Sequence, residues 1–97
     1  MALIIKWTPQ ANRGLDKVIE YLEEEWTANE ILNLEQNLQD LLTRISKYPK
    51  ICPPTGKHKN VHKGLVDKNN YIIYRIQFEK GFIEIINFRG TKQKDIE

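Results

Sequence analysis

Seven side chains in the second half of the sequence stand out as able to hold an anion or move a proton near neutral pH: Lys57, His58, Lys59, His62, Lys63, Arg75 and Arg89. Cleavage of RNA through its 2′-hydroxyl would need a base for that hydroxyl, positive charge on the phosphate and an acid for the leaving oxygen. Histidine and lysine can fill the proton-transfer roles. Arginine can hold the phosphate, because its planar fork grips an oxyanion at two points. The spacing argues against a close catalytic pair, however. His58 and His62 share strand parity, yet on extended backbone they would stand about 13 Å apart. Two histidines supply at most two metal ligands, and no carboxylate is spaced to complete a set, so neither metal nor cofactor is expected. Cys52 is the only cysteine. Standing alone, it excludes an internal disulfide and a Cys-rich zinc site and fits a reducing, cytoplasmic setting, and beside Pro53 without an adjacent acid–base partner it reads as incidental.

The charge is unevenly divided. Residues 1–48 carry a balance of −3 and residues 49–97 a balance of +5, within a total of +2. Between Lys50 and Lys63 there are four lysines and two histidines and no acid. A field of one sign over half of a small domain suits an acidic partner, either nucleic acid or an acidic protein segment. A solvated lysine-rich surface is the plainer alternative. Lys6 and Arg13 interrupt the apolar opening too early for a signal peptide or a membrane span. At 97 residues, 40% hydrophobic and 29% charged, the chain reads as one globular domain over 1–97.

The elements that must position these residues follow from periodicity. Residues 2–7 alternate as a strand, with Leu3, Ile5 and Trp7 on one face. Thr8-Pro9 is a helix start, Thr8 as N-cap and Pro9 at the first helical position, where its missing N–H costs nothing. Ala11, Leu15, Val18, Ile19, Leu22 and Trp26 then form one helical stripe, interrupted by Gly14 at a cost of about 1 kcal/mol. Thr27 to Glu30 is a capping box, with Trp26 and Ile31 placed for a hydrophobic staple. A second stripe runs through Ile31, Leu34, Leu38, Leu41, Leu42 and Ile45, and Tyr48-Pro49 ends it. So short a connection predicts an antiparallel helix hairpin.

Residues 49–58, with three prolines and Gly56, read as a loop. Strands are predicted over 59–66, 71–78 and 82–88, joined by turns at 67–70 and 79–81. Connections of this length require antiparallel neighbours. Ile72, Tyr74, Ile76 and Phe78 should face the helices, while Tyr71, Ile73, Arg75 and Gln77 face outward. The last strand is apolar almost throughout, and its facing does not follow from its pattern. The fold class is therefore α+β: an N-terminal strand, a helix hairpin and a three-stranded antiparallel meander.

That order carries specific residues. "IIKWTPQA", "LDKVIEYLEEEW", the Tyr-Arg strand "NNYIIYRI" and the ending "IEIINFRGTKQ" resemble the RelE/ParE toxin superfamily, closest to its ParE-like branch of plasmid stabilisation proteins. No one of these motifs is specific, and the weight lies in their ordered combination over almost the whole chain. The resemblance implies a bacterial toxin neutralised by a cognate antitoxin whose C-terminal segment packs along the helices and sheet, as a homodimer or a heterotetramer with that antitoxin. It further implies a target, with DNA gyrase favoured, bound through Lys59, His62, Lys63, Arg75, Arg89 and Lys92. The alternatives are a RelE-like ribosome-dependent mRNA endoribonuclease, using His62, Lys63, Arg75 and Arg89, and a non-toxic protein-binding relative. RelE-like cleavers usually carry a tyrosine or histidine near the chain end, and none follows Phe88 here. Arg75 also has a purely structural reading, as a cross-strand partner of Glu84. Trp7, Trp26 and Tyr71 read as packing residues before base-stacking ones.

Overall fold

Thr8 joins the helical and sheet parts of the chain. In the computed structural model, which describes residues 2–25 and 28–90, its hydroxyl accepts the Ala11 N–H at 3.1 Å, satisfying a helix-start donor. The same hydroxyl lies 2.9 Å from the carbonyl oxygen of Ile85 and 3.2 Å from that of Ile86, to which it donates. Strand β1 (Ile4–Trp7) thus passes directly into helix α1 (Pro9–Glu25). Helix α2 (Ala28–Lys47) follows, then strands β2 (Val61–Asp67), β3 (Asn70–Gln77) and β4 (Phe82–Gly90). The capping box and staple expected at Trp26 and Thr27, and Lys92, lie outside the described residues.

The sheet order is β1-β4-β3-β2. The meander strands pair antiparallel as expected, while β1 pairs parallel to β4. A parallel neighbour needs a long crossover, and the helix hairpin supplies it. Both helices lie over one face. Ala11 and Val18 of α1 and Leu34, Leu38, Leu41 and Ile45 of α2 join Ile72, Tyr74, Ile76, Ile83, Ile85 and Phe88 in a single core. Phe78, expected on that face, lies beyond the end of β3 and is 48% exposed.

Two local features decide how the strands face. At the β3–β4 turn the N–H groups of Lys80 and Gly81 both reach the Gln77 carbonyl, and Gly81 takes φ 80°, a conformation glycine adopts without strain. Along β4 the register shifts: Ile73 faces Asn87, but Tyr74 faces Ile85. Ile86 is therefore the extra residue of a bulge. Strict alternation from Ile83 and Ile85 would turn Asn87 inward and Phe88 outward. The bulge reverses this, so Phe88 is buried at 2% exposure and Arg89 falls opposite Tyr71. Thr8, bonded to the carbonyls of Ile85 and Ile86, holds the bulge in place.

Candidate functional site: the open face of the sheet

The face turned away from the helices can be read row by row from the pairing register. One row is Leu65–Tyr71–Arg89, the next Lys63–Ile73–Asn87, the third Val61–Arg75–Glu84–Lys6 and the last Gln77–Phe82–Ile4. Cations and apolar or aromatic groups are interleaved on it. The Lys63 ammonium sits 4.3 Å from the Tyr71 ring centroid and the Lys6 ammonium 4.2 Å from that of Phe82. Such contacts hold the cations over hydrocarbon while their charge stays exposed. Leu65 and Ile4 are 63% and 64% exposed, so apolar surface is also open to a partner.

Arg75 and Arg89 are both half-buried on this open face, four strand residues apart by register, or about 13 Å along β3. Arg75 is directly opposite Glu84, as the structural reading of that residue expected. Glu84 is engaged by Gln77, whose amide nitrogen lies 3.5 Å from its carboxylate. Lys63 joins the two arginines, while Lys57, His58 and Lys59 are exposed in the loop before β2.

His62 does not join them. Expected beside Lys63 on the basic surface, it faces the helices with only 7% exposure. Adjacent residues on a strand point to opposite faces, so Lys63 and His62 could not share one. The His62 ring stacks on Tyr74 at 5.5 Å. Its Nδ1 lies 2.8 Å from the Cys52 carbonyl oxygen, which only accepts, so Nδ1 carries the proton. Tyr74 donates its hydroxyl hydrogen to the Pro49 carbonyl at 2.8 Å. Burial raises the Tyr74 hydroxyl well above the ordinary tyrosine range. These residues pin the proline loop to the sheet. Lys63 N–H extends this by donating to Pro53 O at 3.0 Å along the β2 edge.

Sequence reasoning passed over a second basic feature. Gln10, Arg13, Gly14 and Lys17 line a cleft against Asn87, Phe88 and Arg89. Their i, i+3, i+4, i+7 spacing marks one helical face. That spacing was the available signal, but nothing in the sequence says what the face lies against. Among the described residues no group of three His, Cys, Asp or Glu is arranged to hold a metal, and no helix is long and apolar enough to cross a membrane.

A strand, a helix hairpin and a three-stranded meander closing one mixed sheet define the RelE/ParE-type toxin fold. The chain belongs to the ParE toxin family: the family model for the ParE toxin of the type II toxin–antitoxin system parDE matches residues 5–94. Among solved structures, the chromosomal ParDE toxin–antitoxin system of P. aeruginosa is similar with a TM-score of 0.73 at 13% identity, over 94% of this chain and 98% of that one. The RelBE2 toxin–antitoxin complex of Mycobacterium tuberculosis gives a TM-score of 0.65 at 16% identity, covering 93% and 99%. The intact RelBE complex of E. coli gives 0.63 at 16%, covering 96% and 100%. At these identities the likeness is one of fold. No curated protein matches the chain.

Proposed function

We propose that this type II toxin acts by binding, docking the open face of its sheet on a macromolecular target, with DNA gyrase the favoured one, and that a cognate antitoxin neutralises it. The observation that carries the reading is the composition of that face. Lys63, Arg75 and Arg89 stand on adjacent strands among exposed apolar side chains. Such a surface suits an assembly of protein and nucleic acid, where arginine can grip carboxylate or phosphate. The inward turn of His62 supports binding over RNA cleavage, since it removes the histidine expected as acid or base from the face that carries the cations. The antitoxin partner is proposed from the family and from similar structures that are themselves toxin–antitoxin complexes.

The test has two arms. Induced expression should arrest growth, with DNA-damage signalling and intact transcripts, and the purified protein should inhibit gyrase supercoiling. Transcripts cut within codons, mapped by primer extension in arrested cells, would instead assign the ribosome as the target.

A further inference from the structure

The cleft between α1 and β4 has no part in the open-face reading except through Arg89. It exists because β1 pairs with β4 only as far as Ile85. Past that point α1 replaces β1 as the neighbour of β4, and Gly14 sets how closely. A Cβ at Gly14 would lie 2.2 Å from the Phe88 carbonyl oxygen, so only glycine allows this approach. The resulting cleft has a volume of about 420 Å³ and is lined by Gln10, Arg13, Gly14 and Lys17 of α1 and by Asn87 and Arg89 of β4, besides Phe88.

We propose that this cleft binds the phosphates of a nucleic-acid backbone. Its chemistry is one-sided: among the described residues that line it are two arginines, a lysine, a glutamine and an asparagine, and no acid. Asp16 and Glu20 are on α1 but are not among the lining residues. Arg13 and Lys17, one turn apart on α1, repel each other less when an anion lies between them, and every polar side chain among the described lining residues can donate to an oxyanion. The size is that of a small-molecule site, but such sites are lined mostly by apolar groups, and this one is not.

A chain of phosphates fits better than a single one because the positive charge does not end at the cleft. Arg89 is opposite Tyr71, and Tyr71 is paired with Leu65 and covered by the Lys63 ammonium, so cations continue from α1 across β4 to β2. Polyanions reward such a row, each neutralised phosphate releasing counterions. The inference deepens the target reading by naming the nucleic acid as the part of the target that α1 meets.

The test is made on the whole protein without gyrase or ribosome, by fluorescence anisotropy of a labelled 16-base-pair DNA duplex titrated over a range of salt. Arg13→Gln with Lys17→Gln should weaken binding at least tenfold and lower the salt slope by about two. Arg44→Gln with Lys47→Gln, on α2, should leave it unchanged. Thermal unfolding should show both variants folded. Equal losses in the two pairs would overturn the proposal, as would no loss in the first. Displacement by pyrophosphate with no duplex binding would make this a site for a small phosphorylated ligand and overturn the backbone assignment. Poly-glutamate binding as tightly as the duplex would reassign the cleft to an acidic protein. If gyrase is unaffected while the duplex still binds through Arg13 and Lys17, the target reading fails and the cleft stands.

Discussion

The two faces of the meander are built from alternate residues of the same strands, yet they answer to different demands. On the inner face Ile72, Tyr74, Ile76, Ile83, Ile85 and Phe88 are at most 2% exposed and merge with the helices. On the outer face Tyr71, Ile73, Arg75, Gln77, Glu84 and Arg89 are all half-buried, with cations set among rings. Every buried side-chain polar atom among the described residues has a partner, so the closed side is chemically complete. An antiparallel sheet needs only one covered face to be stable. Folding therefore leaves the composition of the open face free, and its basic-aromatic pattern is available to function.

The sharpest way to separate the faces is to remove an inner side chain. Tyr74 is fully buried, stacked on His62 and bonded to Pro49. Tyr74→Ala should cost about 4 kcal/mol, a large share of the stability of a domain this size. Denaturant unfolding measures it, and a loss under about 1 kcal/mol would show that the inner face is not the core. Next comes Gly14→Ala. Alanine is the better helix former by about 1 kcal/mol, but its methyl would meet the Phe88 carbonyl at 2.2 Å. The clash is with backbone, which yields only by moving α1 off the sheet, so a net loss of about 2 kcal/mol is expected. A stabilised variant would mean that α1 does not lie so close to β4.

Tyr74→Phe is gentler and reports on pH. It keeps the ring and removes the hydroxyl bond to Pro49, costing about 1 kcal/mol near neutrality. The folded protein holds the Tyr74 proton more tightly than the unfolded chain, whose tyrosine titrates at the ordinary value of 10.0. The stabilisation is therefore whole below pH 10 and is lost as pH rises above it, by up to about 1.4 kcal/mol per pH unit. Tyr74→Phe should be more stable than wild type at sufficiently alkaline pH. Parallel alkaline losses in the two proteins would place the controlling proton elsewhere.

How much of this could be read from the sequence depends on the range of the interactions. The helix stripes from Ala11 to Leu22 and from Leu34 to Ile45, the Thr8 cap and the inward set Ile72, Tyr74 and Ile76 are local patterns, and each is where periodicity put it. The facing of β4 was not legible, because a bulge at Ile86 changes parity and its causes, Thr8 and the crossing of α1, come from far along the chain. The parallel pairing of β1 has the same character. His62 was misplaced for a different reason. A histidine among lysines reads as surface, and only the loop carbonyl of Cys52 and the Tyr74 ring make an inward position satisfactory. Arg13 and Lys17 looked like solvated helix residues until β4 was brought alongside them.

The smallest effect on stability belongs to the open face, and it is the most informative. Lys63→Gln together with Arg75→Gln removes two cations while leaving a shorter, neutral polar side chain that can still donate a hydrogen bond at each position. Lys63 is exposed and loses its contact with the Tyr71 ring, worth about 0.5 kcal/mol at such a site. Arg75 is opposite Glu84, which Gln77 already engages, and a half-buried pair at the surface contributes about as little. The variant should therefore unfold within about 1 kcal/mol of wild type. If the face exists to meet a target, growth arrest and gyrase inhibition should fall sharply in a protein that accumulates normally and unfolds almost as wild type does. The contrast with Tyr74→Ala is then complete, since that variant would lose activity by losing the fold. Full arrest from the double variant at normal protein levels would separate the basic strands from toxicity and leave the apolar groups, Leu65 and Ile4 foremost, as the surface to test.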